Sequence, residues 1–282
     1  MDEILRIDNL KQHFISGKGI FKKGYTIKAV DGVSFSLARG ETLGLVGESG
    51  CGKSTLGRSI LKLFEPTDGR IIFEGQDITD FSPRQMRPLR KDMQIVFQDP
   101  LESLNQRHTI GMILEEPFII HQIGRAAERK KWVLDLLQKV DLPASAVNRY
   151  PHEFSGGQRQ RIGIARAIAL KPKLLICDES VSALDVSVQA QILNLLLSLQ
   201  QEMDLSVIFI SHDLSVVKHV SDRVAVMYYG KIVEIGSAEQ IYSSPQAEYT
   251  KTLLSAIPIT HPRQRQDIIQ STPKIALKSV SK

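Results

Sequence analysis

The fold is decided by the stretch Gly47-Glu48-Ser49-Gly50-Cys51-Gly52-Lys53-Ser54-Thr55. This stretch matches the P-loop pattern G-x-x-x-x-G-K-[ST] at every required position. An apolar run at 42–46 precedes it and predicts a buried strand, and residues 53–63 follow it as a predicted helix. A strand, a glycine-rich loop and a helix in this order form a cradle for the phosphates of a nucleotide.

The loop supplies distinct chemical groups to such a cradle. Its glycines allow several backbone N–H groups to converge on one point, and the helix start adds partial positive charge. Lys53 is expected to reach the β- and γ-phosphates, and the Ser54 hydroxyl is expected to ligate Mg²⁺. All nine residues of the stretch are therefore predicted to bind the nucleotide. The helix is expected to turn four apolar side chains inward: Leu56, Ile60, Leu61 and Leu63.

Composition and cysteine content limit the class of protein. The 282 residues are 42% hydrophobic and 24% charged, as in ordinary globular proteins. No apolar run approaches the roughly 20 residues that span a bilayer, and the acidic start Met1-Asp2-Glu3-Ile4 lacks the apolar segment of a signal peptide. Cys51 and Cys177 are too few for a disulfide framework or an iron–sulfur cluster. We therefore expect both thiols to be reduced in the cytosol.

The net charge of +5 is concentrated near the C-terminus. Residues 261–282 carry five basic side chains against one aspartate, a net charge of +4. The first 260 residues hold 31 basic and 30 acidic side chains, so the body of the protein is nearly neutral. A neutral body does not favour nucleic-acid binding. The basic tail is either a contact for an anionic membrane surface or a solvated segment.

The region ahead of the P-loop predicts β structure with an aromatic side chain near the site. Apolar runs at 4–7, 27–30 and 33–37 predict strands. Turns are predicted between the strands at Gly17, Gly24, Asp31-Gly32 and Gly40. Tyr25 lies just before the second run, where it could stack on an adenine or be an ordinary aromatic at a strand edge. Phe21 is a second candidate for stacking.

Three other apolar runs end in side chains suited to phosphate chemistry. Gln98 follows the run 93–97, and its amide can reach Mg²⁺ or an attacking water. Asp178 and Glu179 end the run that begins at residue 174; Asp178 suits Mg²⁺ and Glu179 suits a general base. His212 follows the run 207–210 and can donate to a γ-phosphate. Because strands of an α/β sheet end at the ligand crevice, we expect these side chains to meet the P-loop.

A second glycine-rich helix start lies in a mainly helical stretch, 101–171. Ser155 is a predicted N-cap, and Gly156 and Gly157 leave N–H groups free at the start of a helix predicted to run to residue 170. Together with Gln158, these residues predict a second anion site. One chain does not need two such sites for one nucleotide.

Taken together, these motifs resemble those of the ATPase subunit of an ABC transporter. In the family's order they are the P-loop, the Q-loop Gln98, the signature Ser155-Gly156-Gly157-Gln158, the Walker B run 174–178 with Glu179, the D-loop Ser182-Ala183-Leu184-Asp185 and the H-loop His212. The resemblance implies an α/β P-loop NTPase with a RecA-like core, an antiparallel β subdomain and a helical signature subdomain. It implies a cassette over 1–255, with its core at 1–98 and 172–235 and the helical part at 99–171. A C-terminal extension and basic tail would occupy 236–282.

A closer resemblance is to the peptide-importer branch, the dipeptide and oligopeptide permeases. It rests on the stretches 28–35, 95–100, 150–161 and 181–187, and Tyr249-Thr250-Lys251-Thr252-Leu253-Leu254 resembles that branch's C-terminal extension. Such permeases use two unlike ATPase subunits. This chain resembles the one usually encoded second, which lacks a cysteine-rich C-terminal segment. The resemblance implies that ATP hydrolysis powers the import of di- or oligopeptides.

The resemblance also implies partners and residue roles. A head-to-tail dimer would hold two ATP molecules with Mg²⁺ at its seam. The implied catalytic residues are Glu179, His212, Gln98 and Lys53, and those around Mg²⁺ are Ser54, Gln98 and Asp178. The residues implied to act in trans on the partner's ATP are Ser155, Gly156, Gly157, Gln158 and Asp185. The other implied partners are a second ABC ATPase subunit, two integral-membrane permease subunits and an extracytoplasmic peptide-binding protein, with this chain peripheral at the cytoplasmic face of the cell membrane.

Three other functions are weighed against this one. Soluble ABC ATPases of DNA repair or translation carry a long coiled coil or two cassettes, whereas this chain has one cassette and a neutral body, so we expect no nucleic-acid partner. P-loop kinases and GTPases lack the second glycine-rich site. An importer of nickel or another small solute stays open, because the membrane partners choose the cargo.

Overall fold

The computed structural model describes residues 2–16, 25–99 and 103–256. Phe21, Gly17, Gly24 and the basic tail at 261–282 lie outside the described residues. The strands are β1 (Glu3–Ser16), β2 (Tyr25–Ala38), β3 (Thr42–Val46), β4 (Asp68–Phe73), β5 (Gln76–Asp77), β6 (Met93–Val96), β7 (Leu174–Asp178), β8 (Ser206–Ile210), β9 (Arg223–Tyr228) and β10 (Lys231–Ser237). The helices are α1 (Lys53–Ile60), α2 (Pro83–Leu89), α3 (Ile110–Ile120), α4 (Ala126–Lys139), α5 (Gly156–Ile168), α6 (Val186–Met203), α7 (Leu214–Val220), α8 (Ala238–Ser243) and α9 (Glu248–Ser255).

A six-stranded sheet in the order β10-β9-β3-β8-β7-β6 forms the centre of the fold. Its strands are parallel except for β10, which pairs antiparallel with β9. Every residue of β3, β7 and β8 is buried, because both faces of the sheet are covered. The carboxyl ends of these strands lie at one edge, and this edge carries the loop and side chains predicted from the ends of the apolar runs.

A four-stranded antiparallel sheet in the order β2-β1-β4-β5 packs on one side of this centre. β2 continues through Asp31-Gly32, so the turn predicted there is wrong. Leu10 pairs with Val33 and Lys11 pairs with Asp31, which leaves Gly32 as the extra residue of a β-bulge with φ of +84°. A bulge uses the glycine's left-handed backbone without reversing the chain. The turn predicted at Gly40 is confirmed.

Helix α1 lies between the two sheets and buries Leu56 and Ile60. The predicted helix was too long, because α1 ends at Ile60 and Leu63 is exposed instead of buried. Lys62 adopts a left-handed backbone with φ of +53°. This left-handed backbone cannot continue a right-handed helix, and the Lys62 amine donates hydrogen bonds to the Glu65 carboxylate and the Thr79 carbonyl.

On the opposite face of the six-stranded sheet, α5 packs against β6 and α7 packs against β3. Helices α3 and α4 pack on α5, and α3 to α7 share one apolar core with the sheet. The helices predicted at 128–140 and 189–199 are observed as α4 and α6. The short helices α8 and α9 follow β10; Ile241 of α8 is buried in the same core, and Leu253 and Leu254 of α9 pack against it. Within the described residues, no helix has both the length and the apolar character needed to cross a membrane.

Candidate active site

The glycine-rich loop between β3 and α1 is enclosed by backbone from two other strands. Gly47 and Gly52 have φ of +150° and +110°, which disfavour residues with a side chain. A methyl group at Gly47 would lie 2.2 Å from the Met227 carbonyl oxygen of β9. One at Gly52 would lie 1.9 Å from the Ala29 carbonyl oxygen of β2. Both glycines are therefore required by conformation and by space.

Lys53, the first residue of α1, reaches back over the loop. Its side chain is buried, and its Nζ donates hydrogen bonds to the carbonyl oxygens of Gly47 at 2.7 Å and Glu48 at 2.8 Å. The same amine lies 3.8 Å from Cys51 Sγ, and burial raises the pKa of this thiol. The amine thus lies within the cradle formed by the loop, where a phosphate of a nucleotide would bind.

Ser54 and Asp178 join the loop to the end of β7. The Ser54 hydroxyl donates to Asp178 Oδ1 at 2.6 Å, and the Arg58 guanidinium lies 3.6 Å from Asp178 Oδ2. Burial raises the pKa of the Asp178 carboxyl, while the Ser54 hydrogen bond and the Arg58 charge oppose this shift. The two side chains place a hydroxyl and a carboxylate oxygen side by side, as the sequence predicted.

Glu179, one residue beyond β7, meets the two side chains predicted to accompany it. Gln98 Nε2 donates to Glu179 Oε2 at 3.1 Å, and His212 Nδ1 lies 3.5 Å from the same oxygen. Glu179 has a left-handed backbone with φ of +47°, uncommon for a residue with a side chain. Its N–H donates to the Ile210 carbonyl, and its own carbonyl accepts hydrogen bonds from the Ser182 N–H and hydroxyl. These bonds hold the carboxylate at the end of the sheet.

Lys53, Ser54, Gln98 and Glu179 line a cavity of about 630 Å³ at the carboxyl edge of the sheet, whereas Asp178 and His212 do not belong to its lining. The lining consists of Thr26, Ile27, Lys28, Ala29, Ser49, Gly50, Cys51, Gly52, Lys53, Ser54, Thr55, Gln98, Glu179, Tyr229 and Gly230. Tyr25 is exposed at the adjoining start of β2, beside this lining. The contributions of 26–29 and of the β9–β10 turn at Tyr229 and Gly230 were not predicted. The sequence offers one signal for this turn, the position of Tyr229 directly after an apolar run. It indicates a place at the site only once β9 is known to pair with β3, the strand that leads into the P-loop.

The second glycine-rich helix start forms a separate group. Ser155 accepts a hydrogen bond from Gln158 N, and the Gln158 side chain accepts one from Ser155 N, so the predicted N-cap is confirmed. A methyl group at Gly157 would lie 2.3 Å from Val188 Cγ1, and one at Gly156 would lie 3.6 Å from Leu184 Cδ2. The helix start therefore packs beside the exposed Asp185 at the start of α6. These five residues are brought together with one another, outside the lining of the cavity.

Much of this site lies in a segment that matches a known protein family. The family model for ABC transporters matches residues 30–182, more than half of the chain.

The chain belongs to the ABC transporter family.

Curated members of this ABC transporter family are similar along most of their length. The oligopeptide transport ATP-binding protein AppF of Bacillus subtilis is 54% identical over 93% of this chain and 80% of its own length. The oligopeptide transport ATP-binding protein OppF of the same species is 52% identical over 93% of this chain and 84% of its own. The dipeptide transport ATP-binding protein DppF of Haemophilus influenzae is 52% identical over 96% of this chain and 83% of its own.

Solved structures of ABC transporter ATPases share the fold. The ATP-binding cassette MJ0796, in a dimeric post-hydrolysis state bound to ADP and Pi, matches with a TM-score of 0.74 and 28% identity over 83% of this chain and 98% of that one. The cbiO1 protein of Clostridium perfringens, part of the ABC transporter complex cbiONQ, matches with a TM-score of 0.77 and 26% identity over 95% of this chain and all of its own. The predicted fold class, an ABC-type P-loop ATPase that binds ATP, is confirmed.

Proposed function

We propose that this chain is the ATP-hydrolysing subunit of an importer of oligopeptides or dipeptides. The observation that carries the ATPase role is the meeting of Gln98 and His212 at the Glu179 carboxylate, beside the P-loop cavity. The names of the relatives, which are oligopeptide and dipeptide transport ATP-binding proteins at 52–54% identity, support the cargo.

The donor set around Ser54 and Asp178 fits Mg²⁺. A hydroxyl and a carboxylate are hard oxygen ligands of the kind this ion prefers, and their oxygens are 2.6 Å apart. Gln98 lines the same cavity and can add its amide oxygen. Among the described residues, no three His, Cys, Asp or Glu side chains gather to hold a metal alone, so the nucleotide's phosphates would complete the ligand set. Bound there, the ion would neutralise charge on the phosphates.

The side chains of this protein would each have a different role in hydrolysis. Lys53 would place its amine against the β- and γ-phosphates, since the amine already lies in the loop cradle. Glu179 would accept the proton of the attacking water, and Gln98 would orient that water. His212 would donate a hydrogen bond to the γ-phosphate. Its short distance to Glu179 places both groups at the same end of the nucleotide.

The signature and D-loop residues would act on the ATP of a partner ATPase subunit. Ser155, Gly156 and Gln158 are exposed at a helix start, which is a ready-made anion site, and they lie outside the lining of this chain's own P-loop cavity. The dimeric state of the MJ0796 cassette supports such an arrangement. ATP would then close a head-to-tail dimer, and loss of the γ-phosphate would release it.

The proposed complex places this chain at the cytoplasmic face of the cell membrane. Its partners would be a second ABC ATPase subunit, two integral-membrane permease subunits and an extracytoplasmic peptide-binding protein. The helical region after Gln98 would receive a helix of the permease. On α3, Met112, Ile119 and Ile120 expose apolar side chains that suit such a contact.

The test is transport by the complete complex. The transporter that co-purifies with this chain would be reconstituted in vesicles with its binding protein, and ATP-driven uptake of labelled di- and oligopeptides would be compared with uptake of radioactive nickel. Peptide uptake that is lost in the Glu179→Gln complex supports the proposal. Uptake of nickel without peptide uptake, or tight binding of nucleic acid in a filter assay, would replace it with one of the other functions.

A further inference from the structure

The C-terminal helix α9 reaches the phosphate-binding loop through one side chain. The Tyr249 hydroxyl accepts a hydrogen bond of 3.2 Å from the backbone N–H of Glu48. The Tyr249 ring also packs on the ring of Tyr228 at the end of β9, with centroids 4.1 Å apart and planes at 32°. A residue two hundred positions along the chain thus contacts the loop that is central to ATP binding.

Glu48 links this hydroxyl to the amine of Lys53. The N–H of Glu48 points to Tyr249, while its carbonyl oxygen accepts a hydrogen bond of 2.8 Å from Lys53 Nζ. Residues 49–55 line the cavity, whereas the exposed Glu48 does not belong to its lining. The two peptide groups of Glu48 therefore connect Tyr249 of α9 to Lys53, the side chain that would hold the β- and γ-phosphates.

The helix that carries Tyr249 is itself fixed to the sheet. The Glu234 carboxylate of β10 accepts hydrogen bonds from the backbone N–H groups of Gln246 at 2.7 Å and Ala247 at 3.0 Å, just before α9 begins. Leu253 and Leu254 pack against the core on the next turns. The position of the Tyr249 hydroxyl is thus set by an anchored helix.

We propose that Tyr249 is a positioning residue for ATP binding, through which α9 holds the first peptide units of the P-loop in the shape that Lys53 needs. The purely structural alternative is that Tyr249 only covers Tyr228 with its ring. The inference rests on ATP binding at the P-loop cavity, as proposed above. It adds that the C-terminal helix contributes to the affinity of that site.

The experiment compares Tyr249→Phe with wild type in the full-length protein. Phenylalanine keeps the ring on Tyr228 and removes only the hydroxyl. Affinity for the non-hydrolysable ATP analogue AMP-PNP with Mg²⁺ would be measured by calorimetry, and hydrogen exchange of the peptide containing Glu48 by mass spectrometry. Loss of one neutral hydrogen bond predicts about a 2- to 10-fold weaker affinity and faster exchange at Glu48.

Tyr242→Phe is the matched control, because the Tyr242 hydroxyl donates to the Leu214 carbonyl away from the cavity. It is expected to leave both the affinity and the exchange at Glu48 unchanged. Glu234→Ala is a second variant; it keeps Tyr249 but releases the start of α9, and it should weaken AMP-PNP binding in the same direction.

The outcomes separate this inference from the proposed function. If wild type itself does not bind AMP-PNP, the proposed function fails. If wild type binds and Tyr249→Phe stays within twofold of its affinity, Tyr249 has no positioning role, whatever the affinity of Glu234→Ala. An equal loss in Tyr242→Phe, or faster exchange at Glu48 without weaker binding, also overturns the inference.

Discussion

The molecule contains two glycine-rich helix starts that look alike in sequence and differ in structure. At the P-loop, Gly47 and Gly52 have left-handed backbones, and carbonyl oxygens of other strands lie where their side chains would be. At the signature, neither Gly156 nor Gly157 has a positive φ. Gly157 is closed off by Val188, whereas a methyl group at Gly156 meets only Leu184 at ordinary contact distance.

This difference separates what the fold requires from what a partner requires. The P-loop glycines are needed for the chain to form its own site, and Gly157 is needed for α5 to pack beside α6. Among the residues that the structure describes, neither the backbone nor the surrounding space requires a glycine at position 156. Its small size therefore fits the proposal that a second protomer's nucleotide approaches this helix start.

The largest expected effect concerns Glu179, on the P-loop side of the comparison. Glu179→Gln should keep ATP binding and lower hydrolysis by about 10²–10⁴-fold, because it removes a positioned general base. Steady-state phosphate release and ATP titration measure the two quantities. The same variant should accumulate an ATP-dependent dimer, seen by light scattering. Hydrolysis within a few-fold of wild type would show that another group acts as the base.

The next effect tests the P-loop glycines. Gly52→Ala should destabilise the loop by about 2–5 kcal/mol, from a left-handed alanine and its overlap with the Ala29 carbonyl, and ATP binding should be lost with it. Gly163→Ala in α5 is the control, since a methyl group there meets none of the described residues within 4 Å, and it should be neutral or stabilising. Titration of ATP and denaturant unfolding of both variants provide the measurement.

Alanine substitutions at the two signature glycines are expected to have smaller effects that differ from each other. Gly157→Ala should lower the free energy of unfolding by about 1–3 kcal/mol, because its methyl group overlaps Val188. Gly156→Ala should leave the stability and the ATP affinity of the monomer near wild type and lower hydrolysis by the assembled dimer. A Gly156→Ala dimer with full activity would contradict the proposed approach of the partner's nucleotide.

The smallest expected effect is at the N-cap. Ser155→Ala should cost about 1 kcal/mol of stability. Ser82→Ala is a matched control, because Ser82 caps α2 with Gln85 in the same reciprocal arrangement. Both variants should shift the denaturation midpoint by similar amounts, and only Ser155→Ala should also lower hydrolysis. Equal loss of hydrolysis in both would assign the Ser155 effect to stability alone.

Local patterns were sufficient for the elements that hold the site. β3 has the predicted bounds, and Ser155 is the cap that its position before two glycines indicated. The rule that strand ends meet at one edge of an α/β sheet brought Gln98, Asp178, Glu179 and His212 together correctly. Each of these predictions depends on contacts within a few residues or on the general geometry of a sheet.

What the sequence did not predict depends on strand order and long-range pairing. Three contacts join segments that are far apart in the sequence, and no hydrophobic pattern predicts them. They are the enclosure of Gly52 by Ala29, the Arg58–Asp178 contact and the Tyr249–Glu48 hydrogen bond. Asp31-Gly32 predicts a turn, because Asp-Gly is a strong turn signal on its own, but the structure has a bulge there. Pairing of β1 along both sides of the bulge overrides that local preference.

Glu179 carries a side chain at a position with a left-handed backbone. This backbone conformation favours glycine, and a glutamate in it lowers the free energy of unfolding by roughly 1 kcal/mol relative to glycine. The residue proposed to activate water is thus one whose replacement by glycine is expected to stabilise the fold. Selection of variants for thermal stability alone is therefore expected to favour replacement of Glu179. The selected protein would be more stable and would have lost ATP hydrolysis.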